Sequence, residues 1–380
     1  MDGWIIGRLI SRTSFLGFVL GLSVNKVKWR IGVMEDRKKR ILPDEATSFP
    51  AHFSRKKNSF ICCVVSIRWG FFFSRYQHFF CFITLLIFLS ACGKKPQPSL
   101  TILPFNGASA YELLVKQCDF GPRVPATPAH DQCREFLAAG LKQYADQVAE
   151  QAFEEYLAGL KKNVKLTNII ASFNLAATQR VLLCAHWDSR PWADQDPDTS
   201  RRRQPILGAN DGASGVAILL EVAKTLKRTP PPVGVDIIFF DGEDAGLSGQ
   251  NDTYLAGSRY FARNKDVRFN PIMGILLDMV GGANLQIYKE IHSVNYAGAV
   301  VDRVWNLAAQ LGVAEFIPSA KHEVIDDHIP LLNAGIPVVD VIDFDYAYWH
   351  TTGDTPDKCS AQSLEKVGRV VLAAVYNPPL

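Results

Sequence analysis

Six stretches of the chain carry side chains able to do chemistry, and each one opens or follows what reads as a regular element. His186-Trp187-Asp188 comes first, then Asn210-Asp211-Gly212 at the head of an amphipathic run, then Asp241-Gly242-Glu243-Asp244. Asp278 lies late in an apolar run, Asp326-Asp327-His328 precede another, and Trp349-His350-Thr351 follow it. Singly, each has an ordinary structural reading: Asp211 as a helix N-cap, 241–244 as an acidic turn, His350 as a loop histidine. Jointly, two imidazoles and three carboxylates make a donor set that suits zinc. Adjacent carboxylates at a strand end point in different directions, so one of Glu243 and Asp244 can hold a metal while its neighbour faces a substrate and shuttles protons. A cation also lets many carboxylates crowd together without mutual repulsion. No G-x-S-x-G elbow, phosphate-binding loop or dinucleotide fingerprint competes with this reading.

For these residues to meet, the elements between them must bring their ends to one edge. Helical patterns run over 108–116 and 130–144, separated by the turn-rich GPRVPATPAH. Residues 148–156 and 164–172 alternate apolar and polar side chains like an antiparallel strand pair. From 181 onward the rhythm is strand then helix. Apolar runs at 181–185, 235–240, 272–280 and 335–342 are interleaved with helices at 213–226, 258–263 and 297–311, and 364–376 closes the chain as a helix. Near-continuous apolar strands between helices predict an α/β domain over 108–380, with a mostly parallel central sheet flanked by helices on both faces. In such sheets ligands bind beyond the carboxyl ends of the strands, where these polar clusters fall.

The 380 residues are 48% hydrophobic and 21% charged, which excludes a disordered chain. Residues 1–91 hold 14 Lys and Arg against 5 Asp and Glu, leaving 27 against 33 for the rest. The body of the chain is therefore acidic and gives no electrostatic case for nucleic acid. The uncharged run FFCFITLLIFLSA at 79–91 ends at Cys92 and is too short to span a bilayer comfortably. Leu89-Ser90-Ala91-Cys92 resembles a bacterial lipobox. On that reading 71–92 is a lipoprotein signal peptide and Cys92 carries a lipid anchor on an exported, periplasm-facing protein. Residues 1–70 show no sustained periodicity, read as unstructured or as preceding the true translation start, and 93–107 is a linker. Of the cysteines in the body, Cys118, Cys133, Cys184 and Cys359 match no zinc-knuckle spacing and read as structural. In an exported protein they allow one or two disulfides with three possible connectivities.

From about Ala108 to Tyr376 the chain resembles the bacterial glutaminyl-peptide cyclotransferases and the wider family of zinc aminopeptidases that share their fold. The segments that carry the likeness are FGPRVP (120–125), HWDS (186–189), GANDGASGVA (208–217), FFDGED (239–244), GSRYF (257–261), LLDMVG (276–281), DDHIPLLNAGIPV (326–338) and WHTTGDT (349–355). The resemblance implies that Asp211, Asp244 and His350 hold one zinc, with His186 and Asp278 completing a second zinc site in the aminopeptidases. It implies Glu243 as general acid/base, and in a cyclase Asp278 and Asp327 as an acid network beside the substrate.

HWDSRPWADQD (186–196), Asp326-Asp327-His328 and the Trp349 indole point toward a cyclase, which converts the N-terminal glutamine of peptides or proteins to pyroglutamate. Trp349, with Trp187 and His328, is expected to contact the substrate. Ala245-Gly246-Leu247-Ser248-Gly249 is more like the aminopeptidases, and Asp244 stands where the family usually carries Glu. An aminopeptidase with one or two zincs is the alternative, and a non-catalytic binding protein on the same fold is a third.

Overall fold

The computed structural model describes residues 99–379. The expectations for residues 1–98, including the export segment and Cys92, lie outside the described residues.

Helices α1 (Gly107–Cys118) and α2 (Pro128–Lys142) come first, each with a side-chain cap. Asn106 accepts from the Ser109 N–H and Thr127 from the His130 N–H, and Pro128 stands in the first turn, where its missing N–H leaves no gap in the helix. Strands β1 (Gln147–Leu157) and β2 (Lys162–Phe173) then pair antiparallel, as their alternation predicts. The strand-then-helix rhythm follows: β3 (Arg180–His186), α3 (Ala213–Arg228), β4 (Gly234–Phe240), α4 (Ala256–Asn264) and β5 (Met273–Asp278). Next come β6 (Ile287–Lys289), α5 (Ile291–Gln310), β7 (Phe316–Ala320), α6 (His328–Asn333), β8 (Val338–Ile342) and α7 (Ala361–Tyr376).

Six strands form one sheet in the order β1-β2-β4-β3-β5-β8. The β4–β3, β3–β5 and β5–β8 pairs are parallel, and β2 joins β4 antiparallel. Side-chain parity divides the core. Val181, Leu183 and Ala185 of β3 join Val235, Ile237 and Phe239 of β4 on the face packed by α1, α3 and α7. Leu182 and Cys184, with Ile238, Phe240 and Leu276, pack toward α4 and α6 in a smaller cluster. Both faces are covered, so these strands are apolar throughout rather than alternating.

Two features depart from the sequence reading. β6 and β7 pair into a separate parallel ribbon, too short for periodicity to reveal. Helix α5 begins at Ile291 rather than near Ala297, because helical turns on either side of a kink at Ala297 (φ −135°) run together. The added turn, IHSVNY, is rich in weak helix formers and is held by Glu290, which accepts from the His292 and Ser293 N–H groups. The four body cysteines are buried free thiols, so no disulfide staples the described fold.

Candidate metal centre and pocket

Asp211 precedes α3 but does not cap it. Gly212 is the cap, at φ +97°, and a Cβ there would meet the Asp188 carbonyl oxygen at 2.5 Å. This turn frees the Asp211 carboxylate to face the strand ends. Its backbone is clamped by Asp354, whose carboxylate accepts from the Asn210 N–H (2.9 Å), the Asp211 N–H (3.1 Å) and the Tyr346 hydroxyl (2.8 Å).

A matching clamp holds the β4 end. Asp188 accepts from the Glu243 N–H at 3.1 Å and the Asp244 N–H at 3.2 Å. The Asp244 carboxylate takes an Arg190 N–H at 2.9 Å, and the same guanidinium binds Asp194 and the Tyr254 hydroxyl. His350, at φ +52°, presents Nε2 3.2 Å from Asp244 and 3.7 Å from Asp211, while its Nδ1 lies 3.5 Å from Asp194. A carboxylate behind the far nitrogen orients an imidazole as a metal ligand.

Asp211, Asp244 and His350 bring one donor atom each within 4.8 Å of one another, and so do His186, Asp211 and Asp278. The two groups share Asp211. His186 Nε2 lies 3.2 Å from Asp211 and 3.1 Å from Asp278.

The donor set passes a physical test for a cation. One oxygen each of Asp211 and Asp244 is buried with no hydrogen-bond partner. Burial alone would depress His350, yet the Asp244 carboxylate lifts it to about 9. Burial opposes the charge on His186 too, and the surrounding carboxylates still raise it well above its ordinary value. A cluster that draws protons onto buried imidazoles lacks positive charge, which a divalent ion supplies.

Beside these ligands lies a cavity of about 260 Å³, lined by Glu243, Asp278 and Asp326 together with Trp349, Phe344 and Ile325. Burial, and then the Asp244 charge, hold the Glu243 carboxyl well above the ordinary glutamate range, the direction a proton shuttle needs. Met279, just past Asp278, has φ +47°, a strained backbone of the kind that gathers at working sites.

Three expectations fail here. Trp187 has the parity of Val181, Leu183 and Ala185, so it turns to the helical core. It is fully buried, stacks on His130 at 4.2 Å and donates its indole N–H to Thr167, and it does not line the cavity. His328 is also fully buried, with Nε2 3.2 Å from Glu290, behind the cavity wall. In the Asp326-Asp327 pair the acids exchange roles. Asp326 lines the cavity, whereas Asp327 is fully buried at the head of α6, where burial pushes its carboxyl up to about 7. Short of a helix, neighbouring residues diverge by an angle that no pattern reveals. Arg190, Asp354 and Tyr346 do not stand out in the sequence. Their only signal is that Arg190 and Asp354 fall inside HWDSRPWADQD and WHTTGDT.

A mostly parallel α/β sheet with carboxylates and imidazoles gathered beyond the strand ends defines the metal-dependent exopeptidase class. The model of Peptidase family M28 matches residues 168–375, and the chain belongs to that family. The glutaminyl cyclase of Bacteroides thetaiotaomicron, solved with N-acetylhistamine, is 38% identical, with a TM-score of 0.71 over 73% of this chain and 100% of that one. A Zn-dependent exopeptidase from Parabacteroides distasonis is 39% identical with the same TM-score, over 73% of this chain and 100% of that chain. The Drosophila melanogaster glutaminyl-peptide cyclotransferase is 27% identical over 260 residues, covering 61% of this chain and 70% of its own length.

Proposed function

We infer that the chain is a glutaminyl-peptide cyclotransferase that uses zinc, taking peptides or proteins with a free N-terminal glutamine. The observation that carries this reading is the cavity itself: Glu243, Asp278 and Asp326 line it together with the Trp349 indole and other apolar side chains, beside the metal ligands. A flat, neutral side chain fits between an aromatic wall and hydrogen-bond acceptors.

Asp211, Asp244 and His350 hold the zinc. Bound there, it supplies Lewis-acid polarisation of the glutamine γ-amide carbonyl. Trp349 lies against the side chain and orients it. Asp278 accepts from the amide NH2, which turns the γ-carbon toward the α-amine. Glu243 takes a proton from that amine as the new C–N bond forms, then returns it to the departing nitrogen as the old C–N bond breaks. Pyroglutamate and ammonia leave. The lipid anchor at Cys92 and an exported location complete the proposal, on the strength of the Leu-Ser-Ala-Cys motif alone.

Aminopeptidase activity is the second reading, favoured by the His186, Asp211, Asp278 donor group, which suits a second ion. There Glu243 would activate water instead of the substrate amine. Purified protein offered a Gln-peptide and a Leu-anilide separates the two. Ammonia from the first without free amine from the second supports the cyclase. Two zincs per chain with no ammonia from the Gln-peptide would reverse the order of the readings.

A further inference from the structure

We propose a separate buried divalent-cation site formed by Asp326, His328 and Asp340, a group to which nothing in the reaction above assigns a metal. One donor atom from each lies within 4.8 Å of the others, and the three residues are 4%, 0% and 0% exposed. They come from different elements: the turn before α6, the first residue of α6, and the middle of β8. Asp340 shares the parity of Val338, so its carboxylate enters the smaller core cluster, where a charge has no solvent to meet.

The second, independent observation is the number of unanswered atoms. Asp326 Oδ2, both oxygens of Asp340 and Nδ1 of His328 are buried without a hydrogen-bond partner. A buried polar atom left unpaired is costly, so a group this large needs an occupant. The other oxygen of Asp326 is satisfied by the Asp327 N–H, which leaves Oδ2 as the donor turned to the group.

His328 is also set up as a ligand. Its Nδ1 lies 3.6 Å from Asp340, while Nε2 lies 3.2 Å from Glu290. Glu290 is fixed in turn, accepting from the His292, Ser293 and Val324 N–H groups. A carboxylate, a histidine and an open nitrogen in that order are how imidazole ligands are oriented. One imidazole and two carboxylates suit zinc or manganese better than calcium or magnesium, which prefer all-oxygen shells. Asp326 also lines the cavity, so such an ion would brace one wall of the pocket from behind.

The test uses the full chain produced in zinc-supplemented medium. Elemental analysis of wild type and Asp340→Asn should differ by one zinc per chain, with the variant retaining the metal held by Asp211, Asp244 and His350. Crystals of the wild type should give an anomalous peak at the zinc edge between Asp326, His328 and Asp340. The crystallographic arm stands even where the variant does not fold. Equal zinc content, or a fully occupied main site with no anomalous peak among these three side chains, would overturn the proposal and leave the carboxylates sharing protons or water. Either result is independent of whether the protein cyclises glutamine.

Discussion

Glu243 and Asp244 are neighbours in sequence and differ in work because their surroundings differ. Asp244 touches His350 and Arg190, which pull its carboxyl below the usual range despite burial, so it stays ionised and suited to the ligand role proposed for it. Glu243 has only His186, 4.0 Å away, and burial with the Asp244 charge drives it the other way. Glu243→Gln should therefore lower kcat/KM on a Gln-peptide by about 10²- to 10⁴-fold with zinc content unchanged, checked by ammonia release beside emission spectroscopy. Zinc lost along with activity would make Glu243 a ligand instead. Trp349 stacks on His350, with ring centroids 4.1 Å apart, and lines the cavity. Trp349→Ala should cost about 1–3 kcal/mol of transition-state binding, roughly 5- to 150-fold in kcat/KM. A change under twofold would remove the indole from the substrate site.

At the level of elements, two aspartates hold the loops that carry the ligands. Asp188 gathers the β4 end, and Asp354 ties the His350 loop to the turn before α3 through the Asn210 and Asp211 N–H groups. The Asn210 and Asp211 N–H groups bond different oxygens of Asp354, so Asp354→Asn sets an amide NH2 against one of the two donors, and zinc affinity should fall by about 10- to 100-fold, read by competition with a chromophoric chelator. Unchanged affinity would make the clamp irrelevant to the metal. Just past β8, Asp343 accepts from the Gln286 and Asp345 N–H groups, yet burial pushes its carboxyl up to about 6 from 3.8. A group with a raised folded pKa binds its proton more tightly when folded, so its contribution to stability falls as pH rises from about 4 to 6. The stability of wild type relative to Asp343→Asn should fall through that window by up to about 3 kcal/mol and stay flat above about pH 7. Denaturation at a series of pH values measures it, and a pH-independent difference would contradict the assignment.

On the scale of the whole molecule, the sheet acts as a rack on which His186, Asp278 and Asp340 share a parity and so a face, while both helical layers keep the strand interiors dry. Surface steering does not build this site, and an acidic body does not concentrate polyanions. The lipid anchor proposed for Cys92 rests on the Leu-Ser-Ala-Cys motif that ends the apolar run. Cys92→Ser should abolish metabolic labelling with palmitate. Label retained at the wild-type level would remove the lipid anchor from the account.

Much of the fold and of the metal centre is legible in the amino-acid sequence alone, because it depends on local chemistry and period. Continuous apolar runs between helices determined a mostly parallel sheet, and the polar residues closing those runs determined that Asp211, Asp244, His350, His186 and Asp278 would lie at its edge. Alternation over 148–156 and 164–172 determined the antiparallel pair. Only tertiary structure decided which of two adjacent residues faces the cavity, since that angle depends on how β3 and the head of α6 are seated. Trp187 therefore went to the core and Asp326 replaced Asp327. The partners of Arg190 and Asp354 were decided there as well, because a guanidinium or carboxylate finds its donors and acceptors across distances in sequence that no period spans.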